Sequence, residues 1–437
     1  MRESKTVHDS VHGGIRVDEP FLSLMHRPEM QRLHCVKQLG LSYLVFPGAN
    51  HTRFEHSLGV FHLARRMGEA ISLGEEERLQ LGAAAMLHDI CHPPFSHTLE
   101  EVMEVECGKD HMRLAAEVIN GSIPSRIEGG PFHREGQPSV PEQLESMGAD
   151  PRKVAAIVSE PRMEHETEQS SLMPGGSQAF FGSPQYLNQM IHGPVDADQM
   201  DYLLRDAHYT GVAHGFIDSD RILNTISVHN GSLVVGRGGA AAVEGMMVAR
   251  ALMYSSIYFH KAVRIAEMMM AKAVECAPPQ CRRDLHLKTE AQLTAELLSQ
   301  EGAPRELVSR LLCRELYKKA LTAPAEGLAE EELEKLLELT DYRRRKEKEQ
   351  EVAERAGVDP SRVLIDLPAR SSLLSLSRIG KTDVPVLDEG RVRPLTRRSP
   401  LAKALQNRGV QDWALLVSCP EEDRATVSKA ASRAIFG

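Results

Sequence analysis

His56, the adjacent pair His88-Asp89, and the run Asp196-Ala197-Asp198-Gln199-Met200-Asp201-Tyr202-Leu203-Leu204-Arg205-Asp206 are the residues best equipped for chemistry. Taken alone, His88-Asp89 reads as a chance surface pair. Its company changes that reading: Arg53 and His56 stand one helical turn apart, on one face. Two imidazoles and two carboxylates, with no thiolate, make a borderline-to-hard cation site, and such N/O sites suit Zn, Fe, Mn or Mg according to geometry and availability. Four ligands leave open positions for water and a phosphate oxygen, the arrangement for metal-assisted hydrolysis. Histidine usage points to the same part of the chain, because 11 of the 19 histidines fall in the first 120 residues.

The elements that must position these residues read mostly as helix. From Phe21 to about Ile119 apolar residues recur at three and four, with Leu58, Phe61 and Ala64 followed by Leu79, Ala83, Met86 and Leu87. His88 sits at the end of that apolar stretch. His92 follows four residues later, so a continuing helix would leave it on the same face, about 40° around. A second helix is expected from near Val195 past Arg205, and on it Asp198, Tyr202 and Asp206 share a face. Strands are expected only briefly around Val11 to Val17, in a hairpin about Asn230-Gly231, and at Val363–Leu367, Val384–Leu387 and Trp413–Val417. Helices are expected over 242–276, 290–339 and 425–435, and the charge blocks of Tyr342 to Glu349 read as a solvated helical face. Gly/Pro interruptions (Gly129-Gly130-Pro131, Pro174-Gly175-Gly176, Gly182-Ser183-Pro184) mark 121–184 as a loop-rich insert with one helix near Pro151 to Ser159.

Composition bounds the class. The chain has 437 residues, 42% hydrophobic and 26% charged, the balance of a folded protein. Lys+Arg number 52 and Asp+Glu 61, a net charge of −9, which argues against a surface built to coat nucleic acid. No apolar run approaches the ~18 residues a membrane span needs. Met1-Arg2-Glu3-Ser4-Lys5 lacks the apolar core of a signal peptide. Seven widely spaced cysteines without a CxxC pair oppose both a disulfide framework and a thiolate zinc site, so the cytoplasm is the expected compartment.

His56, His88-Asp89 and Asp198 together resemble the signature of the HD phosphohydrolase superfamily. Gln31-Arg32-Leu33, Lys37-Gln38-Leu39-Gly40, Val45-Phe46-Pro47-Gly48-Ala49, the Arg53-to-Gly59 block and His92-Pro93-Pro94-Phe95-Ser96-His97 are similar to its dNTP triphosphohydrolase branch, which includes sterile-alpha-motif-and-HD and dGTPase-like proteins. The resemblance covers about residues 5 to 270. It implies that His56, His88, Asp89 and Asp198 hold a divalent metal ion (Mn, Mg, Fe, Zn or Co). It also implies that His92 contacts the phosphate under attack, that His97 lies close by and contacts phosphate, and that His111 completes a His-carboxylate acid pair. A neutral imidazole can relay a proton and a charged one can stabilise the leaving polyphosphate. By the same resemblance Arg53 and Arg250 bind phosphate, Tyr202 lines the sugar and phosphate region, Asp206 with Gln38 holds the 3′-hydroxyl, and Leu39 packs on sugar or base. Tyr258 would crowd the 2′ position and so discriminate deoxyribose from ribose.

Two departures stand out. Gln199 replaces the lysine that follows the metal aspartate in the family, which removes a positive charge from the phosphate pocket. His26 and His34 stand where relatives with an activating nucleotide site carry aspartate and arginine, so guanine-nucleotide activation of that form is not expected. His8, His12, His62, His165 and His229 read as ordinary surface or packing histidines.

The expectation is a mainly α fold: a helical HD-domain core with a short β hairpin and a small C-terminal α+β lobe. The HD domain is expected over 1–275, with 121–184 as its insert, and the helical extension and lobe over 276–437. The expected activity is that of a metal-dependent phosphohydrolase, a dNTPase releasing deoxynucleoside and tripolyphosphate. The alternatives are an HD phosphohydrolase acting on a monophosphate or cyclic nucleotide, and a non-catalytic nucleotide or nucleic-acid sensor. A nucleotide substrate and a homo-oligomer (dimer or tetramer) are the expected partners. Nothing in the sequence indicates single-stranded nucleic acid or a membrane.

Overall fold

Thr52, in extended conformation, starts the helix Arg53–Ala70, and the Glu55 carboxylate accepts hydrogen bonds from the Thr52 N–H (2.6 Å) and hydroxyl (2.9 Å). The reciprocal contact secures the end where a helix leaves its first N–H groups without partners. This helix packs on Glu75–Leu87, which is buried at every position from Gln80 onward. The half of a helix that is apolar on every face, here Leu81–Leu87, belongs in a core. Close packing depends on its small residues: a Cβ on Gly82 would fall 2.6 Å from the Phe21 ring. The third helix of the site, Ala197–Thr210, begins where the Asp196 side chain accepts from the Gln199 N–H (2.7 Å) and ends at left-handed Gly211 (φ 73°).

The computed structural model describes residues 4–159, 184–324, 327–368, 383–406 and 413–437. It is mainly helical with small sheets, as the sequence predicts. Strands β1 (Ser4–Asp9) and β2 (Gly13–Asp18) form an antiparallel hairpin whose turn is 10–12. Strands β3 (Ile226–His229) and β4 (Ser232–Gly236) flank Asn230 (φ 50°) and Gly231 (φ 76°), the left-handed pair that a two-residue hairpin turn requires. The remaining strands are β5 (Lys318–Pro324), β6 (Leu364–Asp366), β7 (Pro385–Asp388), β8 (Arg391–Pro394) and β9 (Trp413–Cys419). One sheet has the order β5-β9-β6 and lies under the closing helix Arg424–Ile435. The other has the order β3-β4-β7-β8, so β7 and β8 return from the C-terminal stretch to extend the central hairpin.

Three sequence expectations are corrected. Lys318–Pro324 is strand β5, not helix, because its backbone pairs with β9, whose seven residues are all buried. Tertiary pairing outweighs the helical propensity of Lys-Lys-Ala-Leu here. The helix Tyr342–Ala356 buries Arg345 and Glu349. Glu349 pairs with Lys272 of the helix Lys261–Glu275 and accepts from the Ile365 N–H (3.0 Å), and Arg345 pairs with Glu101, so this helix is a charged interface as well as a solvated face. Finally, the helix that ends at Leu87 does not continue to His92. A turn follows, and Pro93 and Pro94 offer no N–H to extend it.

Within the insert, the helix Pro151–Val158 lies where expected, and a further one, Val140–Ser146, starts at Ser139. The Pro174-Gly175-Gly176 interruption, Gly182-Ser183 and His165 lie outside the described residues. All seven cysteines are free. Among the described residues no helix is long and apolar enough to cross a membrane.

Candidate active site

Four side chains from three elements meet at the crossing of the helices Arg53–Ala70 and Ala197–Thr210. His56 Nε2 lies 3.0 Å from Asp198 Oδ1, at an angle that makes no hydrogen bond, and 3.7 Å from Asp89 Oδ2. His88 Nε2 lies 3.4 Å from Asp89 Oδ1. Ligands bound at right angles, each about 2.1 Å from one ion, sit about 3 Å apart, so this spacing suits a shared cation. The hydrogen bonds behind the rings support the same fit. His88 Nδ1–H donates to the Ala85 carbonyl (2.9 Å), which leaves Nε2 buried, bare and without a hydrogen bond. His56 Nδ1 is bonded to the Asp201 carboxylate (2.7 Å), which turns its Nε2 toward Asp198 as well. Buried ring nitrogens without a hydrogen bond beside two carboxylates fit a divalent metal ion.

Electrostatics follow from the crowding. Burial opposes a charge on His56, yet the Asp198 and Asp201 carboxylates overcome it and raise the imidazole to about 10. Burial likewise opposes ionised Asp89, and Arg53, His88 and His92 hold it well below the usual carboxylate range. Asp198 is lowered in the same way, against burial, by His56 and His88.

His92, His97 and His111 form the next layer. The His92 N–H donates to the Asp89 carbonyl (3.1 Å), so a turn rather than a helix returns the ring to Asp89 Oδ1 (Nε2 at 3.3 Å). The His92 and His111 rings stack with centroids 3.8 Å apart. Glu100 joins His111 Nδ1 on one oxygen and His97 Nδ1 (2.7 Å) on the other. Burial, Arg53 and His111 push His92 well down, toward the neutral form. Burial opposes the charge on His111, but Glu100 prevails and raises it. A neutral imidazole thus lies against a charged one. Asp89, His92 and His111 also bring three donor atoms within 4.8 Å of one another.

Arg53 spans the two layers. Its Nη1 donates to Asp89 Oδ2 (2.6 Å) and its Nε to Ser96 Oγ (2.9 Å), while Nη2 is buried with no hydrogen-bond partner, a donor available to an anion. Two turns along the Ala197–Thr210 helix from Asp198, the Asp206 carboxylate is bonded to His51 Nε2 (2.8 Å) and accepts from the Tyr258 hydroxyl (2.6 Å). Tyr258 reaches it from a π-helical turn, Tyr254–Tyr258, of the kind common at functional sites. The Gln38 N–H donates to the His51 carbonyl (3.0 Å), and the buried Gln38 Oε1 lacks a donor. Tyr202 meets Tyr258 edge to face at 6.2 Å, and Arg250 lies over the Tyr254 ring at 5.4 Å. Leu39 is partly buried against the main core, with no contact that marks it as a ligand neighbour.

The sequence reading assigned no role to Glu100, His51, Ser96, Asp201 or Arg205. Ser96, Asp201 and Arg205 lie within the motif blocks, and Glu100 stands three residues after His97. His12, read as an ordinary packing histidine, is instead bonded to Asp201 (2.6 Å).

Residues 53–206 match the HD domain model, and residues 217–436 match the HD associated region. The chain belongs to the HD-domain phosphohydrolase family. An uncharacterized protein of Methanocaldococcus jannaschii is 32% identical over 426 residues, covering 96% of this HD phosphohydrolase and 80% of that protein. The deoxynucleoside triphosphate triphosphohydrolase SAMHD1 of Homo sapiens is 28% identical over 289 residues, 62% of this chain and 44% of that one. Among solved structures, a hypothetical protein from Aquifex aeolicus superposes with a TM-score of 0.67 at 26% identity, over 98% of this chain and all of that one. A phosphohydrolase from Bacteroides thetaiotaomicron shares the fold with the same TM-score at 22% identity, over 95% of this chain and 100% of that one. The His/Asp cluster of this HD phosphohydrolase fits the family's divalent metal site.

Proposed function

We propose that this HD phosphohydrolase is a deoxynucleoside triphosphate triphosphohydrolase that releases the deoxynucleoside and tripolyphosphate. One observation carries the reading: Asp206, held by His51 and Tyr258, lies two helical turns from Asp198, and the Gln38 N–H is bonded to the carbonyl of the same His51. Eight residues of helix span about 12 Å along the axis, on the scale of a sugar hydroxyl to its 5′-phosphates. A hydroxyl supplies the donor that Gln38 Oε1 lacks, and it can bond to Asp206. The Tyr258 ring beside that carboxylate is where a ribose 2′-hydroxyl would compete for space. Distant likeness to the deoxynucleoside triphosphate triphosphohydrolase SAMHD1 supports the same substrate class.

His56, His88, Asp89 and Asp198 would hold a divalent cation, which supplies Lewis acidity and a nucleophile at neutral pH. Arg53 Nη2 and Arg250 neutralise phosphate charge. Neutral His92 takes up and passes on the proton of the attacking water. Charged His111, with Glu100 and His97, supplies the proton that the departing sugar 5′-oxygen needs when its bond to the α-phosphorus breaks. Water thus adds to phosphorus, and the sugar leaves as the alcohol.

Gln199 favours a second reading. Its Nε2 donates to Asp196 Oδ2 and the Gly193 carbonyl (both 2.9 Å), so it brings no charge to the phosphates, and a monophosphate or cyclic nucleotide needs fewer cations. The deciding experiment is a panel of dNTPs, NTPs and monophosphates with Mn, Mg, Fe and Co, resolving the phosphorus products. Tripolyphosphate from dNTPs alone supports the first reading. Orthophosphate from monophosphates supports the second, and no turnover with any substrate rejects both.

A further inference from the structure

Asp201 is fully buried and touches no solvent, yet its two oxygens take part in four hydrogen bonds. Oδ2 meets His56 Nδ1 (2.7 Å) and accepts from Arg205 Nε (2.9 Å); Oδ1 meets His12 Nε2 (2.6 Å) and accepts from Arg205 Nη2 (3.0 Å). Arg205 Nη1 in turn donates to Asp9 Oδ2 (2.8 Å), and Asp9 Oδ1 accepts from the N–H groups of Val11 (2.9 Å) and His12 (2.8 Å). The turn of the β1–β2 hairpin is therefore joined to a ring of the metal centre through a chain of charge-assisted hydrogen bonds. Room for the hub is made by Gly59, where a Cβ would fall 1.8 Å from Asp201 Oδ1.

The chemistry of this arrangement is directional. An ionised carboxylate only accepts, so it keeps a proton on His56 Nδ1, and a cation that displaces the other proton would meet a lone pair at Nε2. A carboxylate behind a histidine ligand sets tautomer and ring orientation and raises the basicity of the ligating nitrogen. Arg205 and His12 keep the carboxylate ionised and aimed. The residues that do this from β1 and its turn, Asp9 and His12, lie outside the matched HD region 53–206.

We propose that Asp201 is a positioning residue for divalent-cation binding by His56, and that the β1–β2 turn, through His12 and Asp9, is a working part of the metal centre. The inference rests on the metal site described above. The test titrates purified full-length chain, stripped of metal, with Co²⁺ alone, following the visible absorption of the bound ion and its affinity. Asp201→Asn is expected to weaken binding about 10- to 100-fold and alter the absorption envelope. Because Asp201→Asn leaves Arg205 with a weaker partner and can impair folding, His12→Leu is measured alongside, each variant well below its own metal-free melting midpoint; a loss of several-fold in affinity is expected. A wild-type chain that binds Co²⁺, with both variants matching it in affinity and spectrum, overturns this inference alone. A wild-type chain that binds no Co²⁺, Mn²⁺ or Zn²⁺ overturns the metal site and this inference together.

Discussion

Arg250 Nη1 donates a 3.0 Å hydrogen bond to Gln199 Oε1, so the residue that replaces the family's lysine is a buried neighbour of the arginine expected to bind phosphate. Gln199 is spent on three contacts: the Gly193 carbonyl, Asp196 and Arg250.

Gln199→Ala should therefore raise KM for the nucleotide about 10- to 100-fold, the scale of one hydrogen bond to a charged group, with little change in kcat. Gln199→Lys should not tighten binding, since it sets a second buried cation against Arg250. Steady-state kinetics on both variants check this.

His88→Ala and Asp198→Ala each remove a donor atom from the cluster. Both variants should lose bound metal and turnover together, read by elemental analysis and phosphate-product assay on the same preparations. Retained wild-type turnover in either would contradict the assignment.

In metal-free protein His56 is raised from 6.5 to about 10. A folded-state value above the unfolded one means that the protonated imidazole stabilises the metal-free fold. That stabilisation is fully present below about pH 6.5 and is lost as pH rises through about 10. A cation must displace the same proton, so apparent metal affinity should rise about tenfold per pH unit up to that point, with release of one proton. Calorimetry in buffers of different ionisation enthalpy measures the proton count.

Gly59→Ala should destabilise the protein by about 1–3 kcal/mol or more, because the new methyl group meets the Asp201 carboxylate rather than a yielding side-chain end. A lower thermal midpoint accompanied by weaker metal binding is the expected pairing of results.

Glu349→Gln removes the nearer of the two carboxylates that pair with buried Lys272, leaving Glu275 at 3.5 Å, and should cost about 1–3 kcal/mol. Thermal unfolding should show the loss, and limited proteolysis should cut first around the helix Tyr342–Ala356.

Much of the fold was legible because its signals are local. The apolar run 81–87 announces a core helix, Asn230-Gly231 announces a turn, and Trp413-Ala-Leu-Leu-Val announces a buried strand. Lys318–Pro324 reads as helix from its own Lys-Lys-Ala-Leu propensity, and β9, about a hundred residues on, makes it a strand. The end of the helix at Leu87 was misjudged for a different reason. A helical extension and a turn both return His92 toward Asp89, and only Pro93-Pro94 hinted at the turn.

The sequence by itself determined which residues are candidates to hold a cation: His56, His88, Asp89 and Asp198 are singled out by residue type and by short, matched blocks. Tertiary structure alone decided which nitrogen of each imidazole is bare, which carboxylate stands behind it, and which arginine nitrogen has no partner. Those outcomes depend on hydrogen bonds between residues far apart in the chain, 145 positions for His56 and Asp201 and 189 for His12 and Asp201. Such bonds leave no periodicity or spacing in the chain, because their geometry exists only once the helices have packed and shut water out.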